Sequence, residues 1–425
     1  METAQDQFER SVRTLRSADE NIVCPEKILL SVEELRGYLK DKSPDLVIFQ
    51  NITFANGAYM SEVLRTFNAP VLLWTLREPV IDGGRLRLNS LTGAYSAANT
   101  MRQMGRRFSY VFGAPEEAEV TAAVKAVVAA AQVKKAMRGL KLAAVGHTPQ
   151  GFGFGRALDA ELMSVFGVEL EAIEARELID RAKGYADADC EAWLEKTRCA
   201  TCGLEKTPER NLLDHARLYR AYSEYAEENG IGALASRCWP DFFTAYGTPV
   251  CTVLSLLNDD GVAAACEADA YGALSMYMGQ RLTGTPAFFG DPVSLDEKEN
   301  TLTFWHCGTA ACSLARTDTG ACVGEHCNRH IGPTLEFGCR ASERATIFRV
   351  GRRADGAFRF LIETGEILDR PRQFLGTSLV LRTDGSAEEL VRRTVRDGWE
   401  PHYAVIYGDV SEELRILADM LDIEH

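Results

Sequence analysis

Two carboxylates, Glu267 and Asp269, stand two residues apart in CEADAYGALSMYMGQ (266–280), a stretch otherwise built of small, apolar and aromatic residues. A carboxylate is costly to bury unless it is paired, hydrogen-bonded or bound to a metal, so acids here are candidates for chemistry. The run from NDDG (258–261) to Leu282 is predicted to form one apolar helix, capped by Asn and Asp oxygens and ended by Thr283, Gly284 and Pro286. Residues two apart on a helix point about 200° apart, so the two acids cannot act as one pair. From Glu267 to Leu282 such a helix climbs on the order of 22 Å. The strand PAFFG (286–290), packed antiparallel, returns by roughly 17 Å. Asp291, 24 residues beyond Glu267, then comes back to its level. This places Glu267 with Asp291 and leaves Asp269 for a salt bridge or a supporting contact.

Two carboxylates suit a hard divalent cation, and an imidazole strengthens the set. Among the seven histidines, His306 ends an apolar strand in FWHCG, and His402 opens the last buried strand in GWEPHYAVIYGD. His147 follows a strand, His215 in LLDHARLYRAY is expected at the surface, and His425 is terminal. His326 and His330 in EHCNRHIG have i, i+4 spacing, but Gly324, Gly332 and Pro333 mark a loop rather than a helix. Cys199 and Cys202 form a C-x-x-C without the second pair that zinc or redox chemistry needs. With no export signal in sight, the twelve cysteines read as mostly reduced and buried.

The elements that must position these residues form an α/β chain. DLVIFQ (45–50), APVLLWTL (69–76) and YVFGAP (110–115) read as buried strands separated by helices, the rhythm of an open parallel sheet. A second α/β unit begins at LKLAAVGH (140–147). After Asp291 the texture changes to strands: LTFWHCG, CSLARTD, ATIFRVGR, FRFLIETG, SLVLRTD and HYAVIYGD. The expected division is an N-terminal α/β domain over 1–137, a second over 138–290 carrying the helix with Glu267, and a β-rich domain over 291–425.

The segment CWPDFFTAYGTPVCTVLSLLNDDGVAAACEADAYGALSMYMGQRLTGTPAFFGDP, the later WHCG and the ending GWEPHYAVIYGDVSEELRILADMLDI resemble the L-fucose isomerase-like sugar isomerases. The resemblance runs from about Arg237 to the end and is fainter before it. It implies a metal-dependent aldose–ketose isomerase working on an open-chain monosaccharide through a cis-enediol. It also implies one divalent cation, manganese, held by Glu267, Asp291 and His402. Glu267 and Asp291 are then the proton-transferring pair, with Glu267 at carbon and Asp291 at oxygen, or the reverse. Trp74, Arg237, Trp239 and His306 are candidates for the sugar's remaining face. The resemblance further implies a homotrimer or homohexamer. The chain is shorter than full-length L-fucose isomerases and carries Pro401 where those enzymes have a polar residue, so the sugar itself does not transfer. A sulfonated hexose such as sulfoquinovose, with Arg77, Arg85 and Arg87 as anion partners, is the alternative substrate. A non-catalytic sugar-binding protein is the alternative class.

Composition narrows the partners. The net charge of −14, from 47 basic and 61 acidic residues, carries no basic stripe for nucleic acid. No uncharged apolar run reaches the roughly 18 residues of a membrane span. The expectation is a soluble cytoplasmic protein.

Overall fold

The structure, a computed structural model, describes residues 2–425. The chain forms two compact units. One runs up to Lys135 and takes in Glu412–Ile423; the other comprises Ala136–Ser411 with Glu424–His425. The two sequence segments 138–290 and 291–411 thus lie in one unit. The class is α/β, with two parallel sheets and a β-rich C-terminal part.

In the first unit, β1 (Val47–Asn51), β2 (Val71–Thr75) and β3 (Ser109–Phe112) form a parallel sheet in that order. The helices Gly57–Thr66 and Ser90–Gln103 cross between them, as parallel pairing requires. Val63, Leu73, Ala97 and Met101 fill the layer between helices and sheet. The C-terminal helix Ser411–Leu421 joins this unit, its Asp419 meeting Arg107 at 3.0 Å. Trp74 corrects the sequence expectation. It is 0% exposed on β2 and donates its indole N–H to the Gly113 carbonyl at 3.0 Å, so it packs the core and presents no face to a sugar. Arg77 is paired with Glu117 at 2.7 Å and Arg87 with Asp82 at 2.9 Å, so neither is a spare cation.

The second unit begins with β4 (Lys141–Val145), β5 (Glu169–Ile173), β6 (Ile231–Ser236) and β7 (Ala263–Cys266), parallel in the order β5-β4-β6-β7. The predicted helix from NDDG to Leu282 is in fact a strand and a shorter helix. NDDG closes the helix Cys251–Asp259, AAAC forms β7 against β6, and the next helix runs Ala270–Thr283. Alanine favours helix locally, but a short, doubly buried edge of a parallel sheet carries no alternation that would reveal it.

The chain then enters β8 (Phe288–Asp296), β9 (Thr301–His306), β10 (Cys322–Gly324), β11 (Thr334–Gly338), β12 (Ser342–Arg352), β13 (Phe358–Ile367), β14 (Thr377–Thr383) and β15 (Tyr403–Tyr407). Six of these, β14-β13-β12-β15-β8-β9, pair antiparallel in turn, and β9 pairs back onto β14. The result is a closed barrel, which removes the unpaired edges of an open sheet. Phe288, Phe304, Ile347, Leu379 and Val405 belong to its core. CSLARTD forms no strand but a short turn of helix at Cys312–Leu314 and a single β-bridge from Ala315 to Cys339.

His215, expected at the surface, is 0% exposed in the helix Glu209–Asn229. One ring nitrogen meets the Thr197 hydroxyl at 3.0 Å, the other has no partner, and burial pushes its pKa down to about 4. The unfolded chain binds that proton near pH 6.5, so stability present above that pH is lost as pH falls towards 4. The loss amounts to about 3 kcal/mol for this group. Urea titrations between pH 7 and 4.5 are expected to show it, and His215→Gln to flatten it; an unchanged slope in the variant would refute this assignment.

Candidate active site

The strand order β5-β4-β6-β7 places a topological switch between β4 and β6, because the chain leaves them towards opposite sides of the sheet. Ligands of open α/β sheets bind beyond the C-terminal ends of the strands at such a point. The loop after β4 carries Phe152 and Phe154, the loop after β6 carries Arg237 and Trp239, and β7 delivers Glu267. Glu267 and Ala268 both have left-handed backbone, at φ 59° and 54°. That conformation costs roughly 1–2 kcal/mol per residue and holds the Glu267 side chain at the strand end rather than on a helix. Trp239 donates its indole N–H to Glu267 Oε1 at 3.2 Å.

The barrel supplies the opposite wall from three neighbouring strands, β9, β8 and β15. Antiparallel register sets Asp291 against Trp305 and Gly290 against Tyr403, so Asp291, His306 and His402 gather at one rim. His402 Nε2 lies 2.9 Å from Glu267 Oε2 and 3.4 Å from Asp291 Oδ1. His306 Nε2 is 4.0 Å from Glu267 Oε2. Phe154 and Phe289 flank the His402 ring at 5.3 and 4.8 Å between centroids. Glu267 and Asp291 thus both stand within 3.4 Å of His402 Nε2, although the continuous helix expected from NDDG to Leu282 does not form. What brings them together is the return of the chain from the helix Ala270–Thr283 into β8.

Asp269 caps that helix, accepting from Gly272 N at 2.9 Å. Residue 272 must be glycine, since a Cβ there would stand 2.4 Å from the Phe289 ring. The carboxylate also takes both arms of Arg349, at 2.6 and 3.1 Å, and meets His402 Nδ1 at 2.9 Å. Arg349 lies on β12, and all three side chains are 0–1% exposed. Sequence reading missed Arg349, because nothing local marks a strand arginine as buried. It also missed Phe152 and Phe154, although the glycines of QGFGFGR directly after a strand were an available signal for a ligand-facing loop.

Electrostatics follow from these contacts. Burial pushes the Glu267 carboxyl up, but the hydrogen bond to His402 and the charges of His306 and His402 bring it below its ordinary value. Burial raises Asp291. Asp269 is pushed up by burial and, more strongly, held far down by Arg349 and His402. Burial works against His402 protonation, while Asp269 and Glu267 favour it and prevail.

The donor set fits a hard divalent ion. Glu267, His306 and His402 offer ligand atoms within 4.8 Å of one another, Asp291 reaches His402 Nε2 at 3.4 Å, and Asp269 engages the far nitrogen of His402, the arrangement that fixes a ligating histidine's tautomer. Behind this set, Cys238, Cys251 and Cys307 pack with Sγ separations of 3.7 and 3.9 Å. The C-x-x-C does not act as a pair, since Cys202 Sγ sits 2.6 Å from Cys322 and Cys199 faces Glu195.

Over the whole chain the protein is 61% identical to a sulfoquinovose isomerase from Clostridium sp. (strain MSTE9), covering 95% of that protein. It is 37% identical over 428 residues to a sulfoquinovose isomerase from Priestia aryabhattai and 36% identical over 404 residues to one from Alkalicoccus urumqiensis. No family model matches the chain. Two half-buried acids and a buried histidine at the mouth of an α/β sheet, in a chain with such relatives, define an aldose–ketose sugar isomerase. The identity spans all 425 residues. The chain belongs to the sulfoquinovose isomerase family. No helix among the described residues is long and apolar enough to cross a membrane.

Proposed function

We propose that the protein isomerises sulfoquinovose to its ketose with the help of a divalent metal ion, manganese, held by Glu267, Asp291 and His402. The observation that carries the substrate is the full-length 61% identity to a sulfoquinovose isomerase. It favours the sulfonated sugar over an unmodified monosaccharide. The metal reading is supported by the approach of Glu267 and Asp291 to His402 Nε2, with His306 beside Glu267, and by the resemblance of their segments to L-fucose isomerases.

When bound, the ion supplies Lewis-acid polarisation of the open-chain carbonyl. Glu267, oriented by the Trp239 indole, removes the C2 proton and returns it to C1. Asp291, across from it on β8, moves the proton between O1 and O2, so that the sugar passes through a cis-enediol. Asp269 and Arg349 keep His402 in one tautomer. Phe152, Phe154 and Phe289 give the site an apolar wall that excludes water from the enediol. His306 and Arg237 stand at its edge; Arg237 is tied to Asp241 at 2.8 Å and to the Trp239 carbonyl, so it acts on the position of Trp239. The same reading takes the enzyme to be cytoplasmic and a homotrimer or homohexamer.

The purified protein, supplied with manganese, is expected to convert sulfoquinovose to the ketose in an NMR assay and to lose that activity on dialysis against EDTA, with manganese restoring it. Turnover indifferent to EDTA would remove the metal from the reading; no turnover with manganese present would remove the substrate.

A further inference from the structure

A sulfonated sugar brings a permanent anion to a site whose own side chains include Glu267, Asp269 and Asp291, on a protein of net charge −14. Coulomb repulsion drives that anion away from the acids, so a cation must receive it at the other end of the sugar. Most arginines around the site are already committed. Arg349 is taken by Asp269, Arg237 by Asp241, Arg352 by Glu161 and Arg353 by Glu424.

Arg329 is different. It lies exposed in the loop between β10 and β11, and among the described residues its guanidinium has no hydrogen bond or ion pair. Its Cζ stands over the Trp239 ring, 6.0 Å from the centroid, and Trp239 in turn donates to Glu267. The loop is a closed turn rather than a loose tip. Arg329 N and His330 N both donate to the His326 carbonyl, at 3.1 and 2.8 Å, and Asn328 N donates to the His326 ring at 3.2 Å. His326 is buried edge-on against Phe243, three residues past Pro240 in the same segment as Trp239. The turn fixes the backbone from which the guanidinium projects beside the Trp239 ring, and its flat fork matches two oxygens of a sulfonate better than an ammonium does.

We infer that Arg329 forms an anion subsite that receives the sulfonate of the substrate while Glu267 and Asp291 work on C1 and C2. This deepens the proposed function and rests on it. His330, the next residue and equally exposed, adds a second donor at the loop tip. The rival is Arg156, also without an ion-pair partner, in the cleft beside Phe154 and Pro401. That cleft is also lined by Glu400, whose Oε2 is buried and unpaired and would repel an anion.

The test is steady-state kinetics on sulfoquinovose with manganese for the wild type, Arg329→Met, Arg329→Lys and Arg156→Met. Arg329→Met is expected to raise KM roughly 10- to 100-fold, the worth of a charge-assisted hydrogen bond, with kcat within about threefold. Arg329→Lys should recover part of the loss, and methanesulfonate should inhibit the wild type competitively but not Arg329→Met. An unchanged KM in Arg329→Met, or a rise confined to Arg156→Met, overturns the subsite and leaves the isomerase reading standing. A wild type that does not turn over sulfoquinovose overturns that reading, and the subsite falls with it.

Discussion

Glu267→Gln is expected to lower kcat on the sugar by roughly 10³- to 10⁴-fold, the upper range for a positioned proton-transfer group, while the protein stays folded. Glutamine keeps the shape and leaves an oxygen to accept from the Trp239 indole, so the contact at 3.2 Å survives. What disappears is the charge facing His402 Nε2 at 2.9 Å and, on the proposed mechanism, the group that takes the C2 proton. Metal content separates the two duties given to this residue. The variant should retain less manganese than the wild type in elemental analysis after gel filtration, with an unaltered circular dichroism spectrum. Activity above about a tenth of wild type would remove Glu267 from the chemistry, because no other proton acceptor would then have been lost.

Arg349→Met is expected to be the most destabilising single change, by about 3–5 kcal/mol, the cost of leaving one member of a buried ion pair unpaired. Arg349 and Asp269 are 0% exposed, and Asp269 then keeps only Gly272 N and the His402 ring as partners. Asp269→Asn strands the arginine instead and should cost a similar amount. The double variant removes both charges and should cost less than the sum, which chemical denaturation can measure as a coupling energy. Additive costs would show that the two groups do not act as a pair. In any variant that survives, loss of the Asp269 contact frees the His402 tautomer, so kcat should fall along with stability. Asp269 therefore matters through its partners Arg349 and His402 and not as a second base.

Much of the layout is legible from residues alone. β1 to β3 stand out as apolar runs separated by helices, β4 opens the second α/β unit at LKLAAVGH, and the change to barrel strands after Asp291 is visible in LTFWHCG and SLVLRTD. Two features hid themselves. β7 reads as helix because Ala263–Ala265 have no branched or alternating side chains, and only pairing with β6 makes them a strand. His215 reads as exposed because its helix is rich in charges, yet it faces Thr197 on the helix packed beside it. Trp74 and Arg349 fail in the same way, one proposed for a sugar and one ignored, since burial belongs to the packing of distant strands.

The sequence by itself determined the chemical inventory: an acid at 267, another 24 residues later, and a histidine opening the last strand. For the two acids the reason is helix rise and strand rise, supplied here by the helix Ala270–Thr283 and β8; the histidine rests on the resemblance of the C-terminal segment. Only the tertiary structure decided how those groups are oriented. The left-handed turn at Glu267, the barrel register that sets Asp291 beside His402, and the Arg349–Asp269 pair behind the imidazole all depend on contacts between segments far apart in the chain. Such contacts leave no local periodicity, because their energy comes from burial and charge pairing that exist only once the sheet and the barrel have formed.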